Sequence, residues 1–202
     1  MVPVLISSDE IKKNIKGYHP EKASQFHKKS AQLADKKFQK TIKDIDTIYL
    51  MCGGSASGKT EFLSEYLDDF EGIIFDGTLS TLEGAKIKIK KIQRAKKKPI
   101  ICAVFPDDLK RAFDAFLHRD RKFDDEHFYR THSGSRKTLL WIAQNYLDVE
   151  IRIYESSYSK DKYKRKSDII FDQLIFKSRK QCIEFLKDFQ YTEGQILKLV
   201  HP

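Results

Sequence analysis

The residues Gly53-Gly54-Ser55-Ala56-Ser57-Gly58-Lys59-Thr60 fit the spacing G-x-x-x-x-G-K-[ST]. Each fixed position of that spacing has a chemical use. The glycines let successive backbone N–H groups turn inward around phosphate oxygens, and the loop opens a helix whose N-terminus favours negative charge. A lysine at position 59 reaches the β- and γ-phosphates, and the Thr60 hydroxyl ligates Mg²⁺. The chemistry expected is binding of a nucleoside triphosphate, ATP or GTP, together with magnesium.

Two further groups of residues suit the same phosphate. Asp76 follows the apolar run Ile73-Ile74-Phe75, where an acid at the carboxyl edge of a parallel sheet can hold the waters of the metal ion. It can equally serve as the base for an acceptor hydroxyl, or cap the Asp76-Gly77 turn. Phosphoryl transfer also needs cations around the equatorial oxygens of the migrating group, a geometry that arginine meets. Residues 111–136 supply Arg111, Arg119, Arg121, Arg130 and Arg136. Arg119 and Arg121 are the first candidates for the transferring group, and Arg130 and Arg136 for the bound nucleotide. Asp120, Asp124, Asp125 and Glu126 could instead neutralise these arginines locally. His118, His127 and His132 lack a metal-site spacing and read as surface histidines.

The elements that must position these groups alternate. Thr47–Cys52 is a continuous β-prone apolar run ending at a glycine pair, as expected of a parallel strand buried on both faces. Glu61–Leu67 reads as the helix after the loop, Gly72–Phe75 as a second strand and Ile100–Phe105 as a third. Residues 82–95 are ambiguous, since Lys86-Ile87-Lys88-Ile89 alternates like a strand. Leu82, Ala85, Ile89, Ile92 and Ala95 nevertheless trace one helical face, and a parallel crossover needs a connection of this length. Asp107-Asp108 starts another helix, residues 118–136 look like a mobile lid, and Lys137–Tyr146 is a helix. A fourth strand spans Val149–Tyr154, and Ile169–Phe176 is either an edge strand or a short helix. Ser178 and Thr192 suit the N-caps of two closing helices.

Before the loop, residues 1–20 carry little pattern, and Glu21–Lys43 reads as an amphipathic helix with Pro20 at its entry. The expectation is an N-terminal helical segment over residues 1–45 and a P-loop domain over 46–202. Its fold class is α/β, three-layered, with a mostly parallel central sheet, an N-terminal helix and C-terminal helices.

The chain has 202 residues, enough for one domain with a substantial core. No apolar run approaches the roughly 18 residues of a membrane span, and the start lacks the pattern of a signal peptide. Cys52, Cys102 and Cys182 are scattered and odd in number, so they read as reduced thiols of a cytoplasmic protein. The net charge of +9 attracts polyanions without choosing between nucleic acid and phosphate-bearing small molecules.

The P-loop, the strand ending Phe75-Asp76-Gly77-Thr78-Leu79, the crossover helix, and the strand running into Phe105-Pro106 with arginines after it resemble the zeta-toxin-like P-loop kinases. The patch Thr131-His132-Ser133-Gly134-Ser135-Arg136 is similar to the lid region of that group. The resemblance covers roughly residues 45–155. It implies an ATP-dependent kinase that phosphorylates a hydroxyl of a small molecule, UDP-N-acetylglucosamine in the zeta toxins themselves, and it admits an antitoxin-like protein partner. The family also carries a further strand after the P-loop helix, with an aspartate as catalytic base and a substrate-binding segment behind it. Here the helix reaches Asp76 in little more than ten residues, leaving no room for that strand. Asp68 and Asp69 lie in the shortened connection as substitutes. Two other functions compete. A nucleotide-dependent nucleic-acid-binding ATPase would use the basic helix (Lys22, Lys28, Lys29, Lys36, Lys37) and the loop Lys160–Lys166, which sets Tyr163 among cations. A degenerate kinase would bind nucleotide without transfer.

Overall fold

Apolar alternation within the central strands builds two cores at once. In β2 (Thr47–Cys52), Ile48, Leu50 and Cys52 enter one cluster of buried side chains while Tyr49 and Met51 enter another. The same division holds in β3 (Ile73–Asp76), with Ile73 and Phe75 against Ile74. In β4 (Lys98–Pro106), Ile101, Ala103 and Phe105 oppose Ile100, Cys102 and Val104. Successive side chains of a strand point to opposite faces, so an unbroken apolar run requires cover on both. These observations come from a computed structural model, which describes residues 2–158 and 169–202. The basic loop Lys160–Lys166 lies outside the described residues.

The sheet has six strands in the order β1-β3-β2-β4-β5-β6. The first, β1 (Val4–Ser7), pairs in parallel with β3, and β3, β2, β4 and β5 (Glu150–Tyr158) continue parallel. The last strand, β6 (Ile169–Leu174), is antiparallel to β5, which resolves the strand-or-helix ambiguity of that segment. One face is covered by α2 (Ala23–Thr41), α4 (Leu82–Arg94), α6 (Asp125–Asn145) and α7 (Arg179–Asp188), whose buried residues join the larger cluster. The other face is covered by α3 (Lys59–Tyr66) through Phe62 and Leu63. A satellite cluster joins α5 (Leu109–Leu117), α6 and α8 (Glu193–Val200). The result is a three-layer α/β architecture. Ser178 and Thr192 cap α7 and α8 through their hydroxyls, and Thr192 closes a full capping box with Gln195. Among the described residues no helix is long and apolar enough to cross a membrane.

The structure departs from the sequence reading in two places that matter for the site. The N-terminal segment is not wholly helical, because Val4–Ser7 adds a strand to the sheet and α1 (Ser8–Lys13) follows directly. Four residues are too few for a periodicity to register, and the strand is held by its pairing with β3. Residues 118–136 are not a continuous loop either. Helix α6 begins at Asp125, capped by the Asp124 carboxylate. Its first turns bury Phe128 and Tyr129 and then Thr131, His132, Ser135 and Arg136, so polar residues interrupt the apolar stripe in sequence until Leu139. Gly134 sits within this helix because Ser80 O lies where a side chain would start: a Cβ there would be 2.2 Å from it.

Candidate functional site

The parallel strands all end at one edge of the sheet, and the chemistry-bearing residues follow from those ends. After β2 the chain turns through Gly53 at φ 137° and Gly58 at φ 88°. A Cβ on Gly53 would come within 2.2 Å of Val104 O, so position 53 needs glycine for space as well as for φ. Between them Ala56 is held at φ 60°, a left-handed conformation that costs a non-glycine residue energy and survives only where the surroundings impose it.

Several contacts impose it. The Ser156 hydroxyl from β5 donates to Ser57 O at 2.9 Å, and Gly53 N–H donates to Thr78 O at 3.1 Å. From α6, the Thr131 hydroxyl accepts Ser55 N–H at 3.1 Å, and His132 Nε2 lies 2.8 Å from Ser55 O. Inside the loop, Lys59 Nζ donates to Gly53 O, Gly54 O and Ser57 Oγ at 2.8, 2.7 and 3.1 Å. Burial lowers the Lys59 ammonium to about 8, against an opposing pull from Asp76. Burial raises the Asp76 carboxyl, while Lys59 and the Ser7 hydroxyl, 3.0 Å from its Oδ2, draw it back. Ser7 and Asp76 are register partners at the ends of β1 and β3, which explains their meeting.

In front of the loop lies a cavity of about 390 Å³. Lys59, Thr60, Asp76, Arg119, Arg121 and Arg130 all line it, so the structure brings most of the candidate site residues to one space. Ser55 and Ala56 line it as well, and Gly53, Gly54, Ser57 and Gly58 complete the loop behind them. Thr60 and Asp76 are hard oxygen donors, the kind Mg²⁺ takes one or two of beside phosphate and water. The residues present therefore fit that ion.

Other candidates lie elsewhere. Arg136 is fully buried behind the loop, its guanidinium 4.8 Å from the Phe105 ring centre and 4.6 Å from that of Phe189. It does not line the cavity, because α6 turns it toward the sheet. Arg111 pairs with Asp107 and Asp108 at the start of α5. Asp68 and Asp69 sit in an exposed 3-10 turn after α3, outside the cavity lining. His118 bonds Asp114 O on α5, whereas His127 lines the cavity, stacked on Phe123 at 4.4 Å and pushed down to about 4 by burial. His132 is buried completely rather than lying at the surface.

The sequence reading missed Asp9. It stands two residues after the end of β1 and lines the same cavity as Lys59 and Asp76. Its carboxylate forms ion pairs with Arg121 and, at 3.1 Å, with Lys12, whose side chain is fully buried. Burial pushes this carboxyl up, but Arg121 and Lys12 outweigh it and hold the group below its ordinary value. A signal was present: Val4-Leu5-Ile6 followed by Ser7-Ser8-Asp9 repeats, in weaker form, the apolar run into Asp76. In comparisons with known proteins, the sequence matches no family model and no curated protein, so the argument rests on this geometry.

Proposed function

We propose that the chain is a P-loop phosphotransferase that moves the γ-phosphoryl group of ATP or GTP, with Mg²⁺, to a hydroxyl of a small molecule. The observation that carries the reading is the convergence of Lys59, Thr60 and Asp76 with Arg119, Arg121 and Asp9 on one cavity. The loop amides and Lys59 bind the β- and γ-phosphates, and Thr60 and Asp76 would hold the metal ion. Magnesium, when bound, would supply neutralisation of the phosphate charge. Arg119 and Arg130 face the transferring group, whose three equatorial oxygens carry the charge.

Asp9 takes the role of acceptor-side carboxylate. The acceptor oxygen attacks γ-phosphorus, the bond from that phosphorus to the β–γ bridging oxygen breaks, and the nucleoside diphosphate leaves. The hydroxyl proton passes to Asp9, which Arg121 and Lys12 hold ionised and oriented. Asp76 is thereby left to the metal ion, which separates the two roles that one residue could not fill. The zeta-toxin-like resemblance expects a base-bearing strand after the P-loop helix. That connection is too short for it here, and β1, entering from the N-terminus beside β3, supplies a carboxylate at the same edge of the sheet.

The test is a ³¹P NMR assay of MgATP with a panel of sugars, nucleotide sugars and other small hydroxyl compounds. Calorimetric binding of MgATP to wild type and Lys59→Ala accompanies it. The expected result is phosphomonoester formation with one acceptor class, and a loss of nucleotide affinity in Lys59→Ala. Equal nucleotide binding by both proteins would overturn the loop reading. Binding without transfer to any acceptor would favour a degenerate kinase.

A further inference from the structure

Arg136 is the largest fully buried side chain among the described residues, and its environment is unusual for a cation. No carboxylate is among its contacts there. Its guanidinium lies among the rings of Phe105, Phe189 and Tyr191. Its side-chain hydrogen bonds run from one nitrogen, NH1, to His132 Nδ1 at 3.2 Å and His132 O at 3.1 Å, and Nε has no partner. Burying a guanidinium without an anion is costly, even with cation–π contacts to offset part of the penalty. An apolar residue would fill the same space more cheaply. What Arg136 does that leucine or methionine could not is donate to His132.

That donation fixes the state of the imidazole. A guanidinium can only donate, so His132 Nδ1 must accept and carry no proton. The ring proton then sits on Nε2, which lies 2.8 Å from Ser55 O and donates to it. Burial and the Arg136 charge both oppose a second proton on the ring. The ring also backs the loop sterically: a Cβ on Gly54 would fall 2.3 Å from its Cγ and Cδ2. Thr131, the preceding residue, accepts Ser55 N–H. One turn of α6 thus holds both backbone polar groups of Ser55, next to the strained Ala56.

We infer that Arg136 and His132 form a positioning relay, in which Arg136 selects the Nε2–H tautomer of His132 and His132 sets the Ser55–Ala56 peptide of the phosphate loop from behind. The inference rests on the reading of this loop as a phosphate site. Neither residue touches the nucleotide. Their contribution is to keep the loop preorganised, so that less ordering is required when phosphate binds.

The experiment compares wild type with His132→Gln, His132→Leu and Arg136→Met. Long-range ¹H–¹⁵N correlation spectra of the nucleotide-free proteins report the imidazole tautomers, with the His132 signals assigned by their loss in His132→Gln. The wild type is expected to show the Nε2–H pattern, and Arg136→Met a mixed or inverted one with shifted Ser55 and Ala56 amides. Glutamine can place an N–H donor near the Nε2 position, so His132→Gln should keep MgADP affinity within about threefold. His132→Leu should lose about tenfold, the worth of one buried hydrogen bond. An Nδ1–H or doubly protonated His132 in wild type at neutral pH would overturn the relay. So would loop amides unchanged in Arg136→Met, or a folded His132→Leu with undiminished affinity. If wild type binds no nucleotide, the phosphotransferase reading fails, while the tautomer and loop shifts still decide the relay.

Discussion

Replacing Asp9 by asparagine keeps the shape of the side chain and removes its charge. Two cations then lose their anion, Arg121 and the fully buried Lys12. Removing one partner of a buried ion pair costs about 3–5 kcal/mol, because the other charge stays buried and uncompensated. The Asp9 side chain is 39% exposed, so water reaches part of the pair and the cost should fall to about 1–3 kcal/mol. For a chain of this size each kcal/mol moves Tm by about 2–4 °C, giving an expected fall of roughly 2–12 °C at pH 7. The pH dependence follows from the direction of the Asp9 shift. Its folded value lies below the unfolded one, so its contribution is present above about pH 4 and disappears as pH falls through the folded value. Thermal and urea unfolding of both proteins at pH 7, 5 and 3 should therefore show a gap that closes in acid. Adding Lys12→Met to Asp9→Asn should restore stability, since it removes the stranded ammonium. An Asp9→Asn protein as stable as wild type at pH 7, or a gap unchanged at pH 3, would refute the account.

Asp9→Asn should also lower kcat by about 10²–10⁴ while leaving MgATP affinity nearly intact, a split that single-turnover and binding measurements can resolve. Because Lys59 titrates near 8, nucleotide affinity should weaken above that pH, approaching about tenfold per unit, as followed by calorimetry. The same shift acts oppositely on stability. Between about 8 and 10.5 the unfolded chain binds more protons than the folded one, so the burial penalty on Lys59 fades as pH rises through that window. Gly134→Ala sets a gain in helix propensity against a Cβ placed 2.2 Å from the backbone oxygen of Ser80. The clash should win by about 1–3 kcal/mol in denaturant unfolding, and unchanged or improved stability would contradict the close approach of α6 to that loop.

The sequence by itself determined the parallel core and the place of the glycine-rich loop. Both are local: an unbroken apolar run such as Thr47–Cys52 needs cover on both faces, and the spacing from Gly53 to Thr60 is a property of eight consecutive residues. Tertiary structure alone decided the place of Asp9 at the cavity and the support of the loop. Asp9 lines the same cavity as Asp76 because a four-residue strand pairs with β3 across 69 positions of chain and sets Ser7 against Asp76, a pairing that no local pattern records. The first half of helix α6, before the expected start at Lys137, was hidden for a related reason. Between the buried pair Phe128–Tyr129 and Leu139, its inward residues Thr131, His132, Ser135 and Arg136 are polar, and they are stable inside because they bond to the loop and to one another. Hydrophobic periodicity reports burial in apolar surroundings, and where a buried face is polar the signal is lost. Arg119, Arg121 and Arg130 were legible as cations in sequence, but only packing separated them from Arg136, which the sheet side of α6 turns away from the cavity.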